Sequence, residues 1–296
     1  MIYGIISGSI ITLGAVGLSL TYGILNFANF AHGDVMALGA FLALALLALL
    51  RGLGVPQTAF GPLSFGLPMI IALLMAMAFT GGAAIFIDRI LYRQLRKTGR
   101  IILLIASVGV AFALRNIIQF IWGPLPQYYH EKIQLARKIP LLGVKIKPDE
   151  VFIIGLAAFL VAMLHLFLQK TKTGKAMRAA SDNVELARVS GINIDRVILW
   201  TWTIGAALAA AAGILAGIEN KFITPSMGWE MLLPIFAAVI LGGIGSPYGA
   251  MVGAMIIGLS EEVSTAFIST AYKPGVAFVI MVAVLLIKPR GLFGAK

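Results

Sequence analysis

The 296-residue chain contains no cysteine, which excludes disulfides, thiolate metal sites and cysteine nucleophiles. Histidine is nearly as scarce. Three widely spaced copies are too few for a metal cluster or a converging acid–base site, which argues against an intramembrane enzyme. Charge is the third shortage: 12% of residues are charged and 60% hydrophobic, about half the charged share of an ordinary soluble domain. A G-x-x-x-x-G-K-[ST] phosphate loop is also missing, so the chain cannot supply that kind of ATP cradle. No cofactor is implied. Short segments alternating apolar and polar residues, which a membrane β-barrel would need, do not occur.

What is present is a series of long apolar runs. Several exceed eighteen residues with few or no charges, enough to cross a hydrocarbon core of about 30 Å as helices. Helices satisfy their own backbone in lipid. The expected fold is therefore all-α: a polytopic helical membrane protein forming one transmembrane domain over 1–296. Hydropathy places spans at roughly 3–25, 35–50, 64–87, 101–122, 151–168, 197–218, 231–260 (interrupted) and 274–287. These eight blocks imply about eight to ten crossings. Residues 1–25 lack a basic n-region and run straight into the next apolar block, so they read as a first span and not as a cleaved signal.

The net charge of +11 is positional. Arg89 to Arg100, Lys170 to Arg196 and Lys288 to Lys296 hold 14 of the 23 Lys and Arg residues. Basic residues beside spans report a cytoplasmic side, not nucleic acid. The segment 123–150 mixes basic residues with Glu131, Asp149 and Glu150, and alternation puts it outside.

Two interruptions break the apolar pattern. The first is Asn26-Phe27-Ala28-Asn29-Phe30-Ala31-His32-Gly33-Asp34. The second is Leu241-Gly242-Gly243-Ile244-Gly245-Ser246-Pro247-Tyr248-Gly249, which splits a long block into halves too short to span comfortably. One break in each half of the chain is the pattern expected of a transporter with inverted, repeated halves and broken helices beside its path. Two plain turns between full spans would read the same way. Asn26, Asn29 and His32 either cap the first break or, with Gly33, line a path matched by Gly242, Gly243, Gly245 and Ser246.

The cytoplasmic segment 169–196 is too long for a minimal turn. Gly174 to Ala180 favours a helix. Asp182 is placed to cap a second one, with Glu185 reaching back as in a capping box, and Gly191 suits the stop position. The second helix would be about 12 Å long, with Leu186 and Val189 on one face, a knob fit for another protein's groove.

Glu185-Leu186-Ala187-Arg188-Val189-Ser190-Gly191 resembles the E-A-A-x-x-x-G loop of ABC importer permeases, with Leu in second place and the later Ile and Leu-Pro missing. TGKAMRA at Thr173 to Ala179, AALAAAAGILAG at Ala206 to Gly217, GGIGSPYGAMVGA at Gly242 to Ala254 and NFAHGDVMALGAF at Asn29 to Phe41 resemble branched-chain amino acid permeases of the LivH type. The resemblance runs from Leu18 to the end and is least in 123–150. It implies a permease of the prokaryotic plasma (inner) membrane that pairs with a second homologous permease subunit. Two cytoplasmic ATPase subunits would drive it, through Arg178, Ala179, Glu185, Leu186, Ala187, Val189 and Gly191, and an extracytoplasmic binding protein would deliver substrate. The substrate would be a branched-chain amino acid, or urea or a short amide in related permeases.

Of the ionisable residues in or beside apolar runs, Asp34, His165, Glu219, Glu230, Glu261 and Glu262 are expected mostly near an interface. Arg115 lies deepest, where a structural ion pair or a snorkelled position is expected. For His165, near a span end, the expectation is contact with carbonyls or headgroups. Gly205, Ala209, Gly213 and Gly217 form a small-xxx-small stripe suited to packing within the chain, or against the paired subunit. A secondary transporter or channel would need a mid-membrane coupling carboxylate or a constriction. The central spans offer few such carboxylates.

Overall fold

The structure, a computed structural model, describes all residues except 57, 97, 130–136, 140–143 and 294–296. Lys97, Glu131 and Lys296 thus lie outside the described residues. The membrane helices are α1 (Ile2–Leu25), α2 (His32–Gly52), α3 (Leu67–Leu95), α4 (Arg100–Trp122) and α5 (Pro148–Lys170). Two short helices follow, α6 (Lys172–Asp182) and α7 (Val184–Val189), and then α8 (Ile194–Asn220), α9 (Met227–Gly242), α10 (Pro247–Ser264) and α11 (Thr270–Ile287). Seven of these helices are long and apolar enough to cross a membrane. α9 is apolar but short, and α10 carries Glu261 and Glu262. The all-α expectation holds for the membrane body, and a small antiparallel ribbon, Arg137–Ile139 with Val144–Ile146, decorates the segment between α4 and α5.

Local chemistry sets the helix ends. α1 stops at Asn26, which takes the left-handed conformation at φ 54° and donates its amide to the Tyr22 carbonyl. Asn tolerates that region better than other side-chain-bearing residues. Pro148 opens α5, and the Glu150 carboxylate accepts from the Lys147 amide at 3.0 Å. Asn193 caps α8 by accepting from the Arg196 amide. α3 ends in a π-helical turn, Asp88–Tyr92, before its final residues.

Lipid supplies no hydrophobic drive between helices, so close packing has to hold them together. α1 is buried along most of its length and runs antiparallel to α10. Gly4 faces the Leu259 backbone, Gly8 faces Met255, and Gly23 faces Gly245. The stripe on α8 works inside the chain: Gly205 meets the Gly17 carbonyl, Gly213 the Met36 carbonyl, and Gly217 Ile223 and Tyr129. At this spacing a side chain would force the helices apart.

These contacts define the two ends of the bundle. Ser181 of α6 touches Gly23 at the end of α1, beside Gly245 at the start of α10. Arg93 and Arg96 line one cleft with Glu185, Arg188 and Asp195, and Gly291 of the tail packs on Gly243. All three basic segments therefore gather at one end. At the other end Asp149 accepts from the Ser64 amide and hydroxyl and from Lys221, while Gln127 bridges to Ile223. Among the described residues, α1 to α5 and α8 to α11 run alternately between these two ends, the arrangement that the charge pattern predicts.

Candidate functional site

The first break folds back into the helix bundle. After Asn26, which is exposed, the chain turns so that Asn29 is buried at 1% exposure and His32 at 2%. The Asn29 side-chain oxygen accepts from the Ala31 amide at 3.1 Å and from the Tyr92 hydroxyl at 3.4 Å. Tyr92 reaches it from the π turn of α3. Its ring stacks on Trp202 at 5.2 Å between centroids and lies 5.5 Å from Phe27. His32 Nε2 lies 2.9 Å from the Gly14 carbonyl of α1. A carbonyl only accepts, so that nitrogen carries the proton. Gly33 crosses Gly228 at the start of α9 so closely that a Cβ on either would collide with the other's carbonyl. The Phe30 amide donates to Ser107 Oγ at 3.1 Å, tying the break to α4.

One turn further on, Asp34 is wholly buried and receives two hydrogen bonds from Arg115, at 3.0 and 3.1 Å. The structural ion pair expected for Arg115 is present. A bidentate guanidinium–carboxylate pair satisfies both groups within one geometry.

The second break separates α9 from α10. Gly243 and Gly245 have φ of 107° and 84°, conformations that favour glycine. Ser246 caps α10 by accepting from the Gly249 amide at 3.1 Å. Gly242 and Gly249 sit carbonyl to α-carbon, so neither tolerates a side chain. The carbonyls left open at the end of α9 are taken by the tail: the Leu292 amide donates to Leu241 at 2.8 Å and the Phe293 amide to Gly242 at 3.0 Å. The two breaks approach one another where Gly23, just before the first, touches Gly245.

The expected helix pair between α5 and α8 forms with one shift. The cap of α7 is Asn183, whose side chain accepts from the Leu186 amide at 2.9 Å, and Asp182 is the last residue of α6. Glu185 pairs with Arg188 and does not reach back to the cap. α7 has six residues, about 9 Å. Gly191, at φ 84°, ends it in a Schellman motif: its amide donates to Arg188 and that of Ile192 to Ala187. Leu186 and Val189 are 65% and 85% exposed, but Ala187 is 3% exposed. Ala187 therefore packs inward and is not on the outward side with Leu186 and Val189. Arg178 is exposed and Ala179 half-buried on α6. Beside α7 lies an open cleft of about 980 Å³ lined by Arg93, Arg96, Arg188 and Asn193 among others.

Residues 1–285 match the family model described as branched-chain amino acid transport system / permease component. The chain belongs to this family. It is 33% identical over 299 residues to the high-affinity branched-chain amino acid transport system permease protein LivH of Escherichia coli K12, covering 99% of this chain and 94% of LivH. BraD of Pseudomonas aeruginosa, named in the same way, is 32% identical over 99% of this chain and 94% of its own length. LivM of Salmonella typhimurium, also named a permease protein of that system, is 31% identical over 156 residues, 51% of this chain and 36% of LivM. No solved structure matches. The permease is a multi-pass protein of the inner membrane, and its family is one of transport proteins rather than enzymes.

Several residues of this permease's site carried no sequence signal. Tyr92 sits in an unremarkable basic run, and nothing in its spacing points to Asn29. Leu292 and Phe293 lie in a segment marked only by its basic residues, and nothing there points to the bonds they make to α9. His165 was expected on carbonyls or headgroups, but its Nδ1 lies 2.9 Å from the Tyr248 hydroxyl, joining α5 to α10. The same hydroxyl also accepts from Gln169 Nε2 at 3.4 Å.

Proposed function

We propose that this chain is one permease subunit of an ABC importer for branched-chain, hydrophobic amino acids. It works with a second homologous permease, two cytoplasmic ATPase subunits and an extracytoplasmic binding protein. The observation that carries this reading is a juxtaposition: the exposed, glycine-terminated α7 belongs to the same helix pair whose Ser181 rests on Gly23, where the two breaks meet. Movement imposed on α6 and α7 by an ATPase reaches both breaks through one contact. Asn26, Asn29, His32, Gly33, Gly242, Gly243, Gly245 and Ser246 border the path in this scheme, and Leu186 and Val189 enter the ATPase groove. Arg178, Ala179, Glu185, Ala187 and Gly191 build and hold that helix pair.

Uptake of labelled leucine and urea by cells with and without this gene tests the substrate, with leucine uptake expected to fall and urea uptake to stay. Coupling is tested with the purified complex. Leu186→Asp together with Val189→Asp should abolish substrate-stimulated ATP hydrolysis and loosen the ATPases while the membrane subunits insert normally. Full stimulated hydrolysis in that variant would remove α7 from the coupling role and favour a secondary transporter.

A further inference from the structure

Most of the outward surface of the membrane helices is apolar. α5 shows Val151, Phe159 and Leu166, and α11 shows Val279 and Leu286, side chains that lipid tails accommodate. The face made by α4 and the start of α9 differs. There Asn116 and Glu230 are exposed and Arg115 is half-buried. Arg115 lies about 22 Å along α4 from Arg100 and about 10 Å short of Trp122, at 1.5 Å per residue. This places it well inside the apolar zone. The Trp229 and Phe112 rings flank its guanidinium at 5.1 and 5.5 Å, so Glu230, next to Trp229, is at a similar depth. Asp34 neutralises Arg115, and the Ser226 hydroxyl donates to Glu230 at 2.8 Å. The exposed carboxylate still has no cation at hand among the described residues. Between these groups α4 presents Gly109 and Ala113, both exposed, and a Cβ on Gly109 would meet nothing.

Ionisable groups at such depth face protein or water, not hydrocarbon. Small residues spaced four apart are what a helix needs to receive another closely. We infer that a second, related permease-type membrane chain seats on this face, over Gly109, Ala113 and Asn116, and supplies polar groups to Glu230. The inference rests on reading this chain as one permease of a pair, and it adds which surface makes the pair. The same face continues to the half-buried Phe30 and Phe236, whose rings lie 5.1 Å apart.

Photo-crosslinking in native membranes tests this, with p-benzoylphenylalanine in place of Phe112 or, separately, Phe120, and in place of Phe159 as the lipid-facing control. Phe112 and Phe120 are 53% and 92% exposed, so neither replacement disturbs the core. Adducts identified by mass spectrometry as a permease-family membrane chain at 112 and 120, with none at 159, are expected. Ala113→Trp should cut recovery of that chain with the tagged subunit at least tenfold, and Phe159→Trp should leave it unchanged. Adducts with lipid alone at 112 and 120, while a second permease still co-purifies, would overturn the surface and leave the pairing intact. A crosslinked pair of this chain with itself would overturn the choice of a related chain. If no second permease co-purifies with the unmodified protein, the paired reading itself fails, and this surface with it.

Discussion

Asp34 and Arg115 show how a charge survives in lipid. Each is satisfied by the other at 3.0 and 3.1 Å, and Asp34 also lies in the first turn of α2, where the helix dipole favours a negative group. Removing one partner leaves the other buried and uncompensated, at a cost of about 3–5 kcal/mol. Arg115→Leu or Asp34→Leu alone should therefore lower the melting temperature of the solubilised subunit sharply. The double substitution should melt closer to wild type than either, which a melting series would show. Asn29 sits under different constraints, because its oxygen serves both the Ala31 amide and the Tyr92 hydroxyl. Asn29→Leu removes both acceptances from the break, and leucine uptake should fall at least tenfold with the protein level little changed. Uptake equal to wild type would leave Asn29 as part of a plain turn. The sequence marked Arg115 as deep and Asn29 as poised at a break. It was silent on Tyr92, because an aromatic partner 63 positions away is chosen by helix packing, which no local spacing records.

At the scale of elements, glycine and capping chemistry were the legible features. Gly191 stood out as the stop of α7 and Gly243 as the centre of a break, and both have positive φ. Gly243→Leu meets two obstacles, its φ of 107° and the Gly291 backbone packed against it. It should abolish uptake while the complex still assembles, as judged by co-purification. The cap of α7 was misplaced by one residue because Asp182 and Asn183 can both cap, and only the extended backbone at Asn183 decides between them. Asn183→Ala should cost about 1 kcal/mol of local helix stability, with a partial loss of stimulated ATP hydrolysis, whereas Asp182→Ala should leave hydrolysis near wild type. The inward turn of Ala187 was equally hidden: a six-residue helix has too few positions for its pattern to name a buried face. The short halves at 231–260 became two real helices because Ser246 and the tail satisfy the ends that a break leaves open.

For the whole molecule, the long apolar helices and the gathering of the basic segments at one end were legible in hydropathy and charge, since lipid imposes length and basic residues cluster beside one end of the spans. Lys172→Cys in this cysteine-free chain should resist a membrane-impermeant thiol reagent in intact cells, and Thr58→Cys, exposed at the opposite end, is the counterpart expected to react after mild permeabilisation of any outer barrier. Labelling of position 172 from outside would invert the topology. The pairing of helices was not legible. α1 and α8 are apolar on almost every side, and the small-residue stripe on α8 marks a packing face without naming its partner, so nothing in the sequence announces that α1 lies against α10 or that Gly213 meets Met36.

The bonds from Leu292 and Phe293 to the end of α9 also set an order of manufacture. A chain emerging from the ribosome exposes residues 291–293 after α9 and α10, so the hinge between them stays unlatched until that later segment has emerged. A chain stopped after Arg290 should still insert every span yet lack the latch, and limited proteolysis should then cut between Gly242 and Pro247 in the truncated chain and spare the full-length one. Purification handles placed directly after Arg290 in place of the last residues would produce the same unlatched hinge.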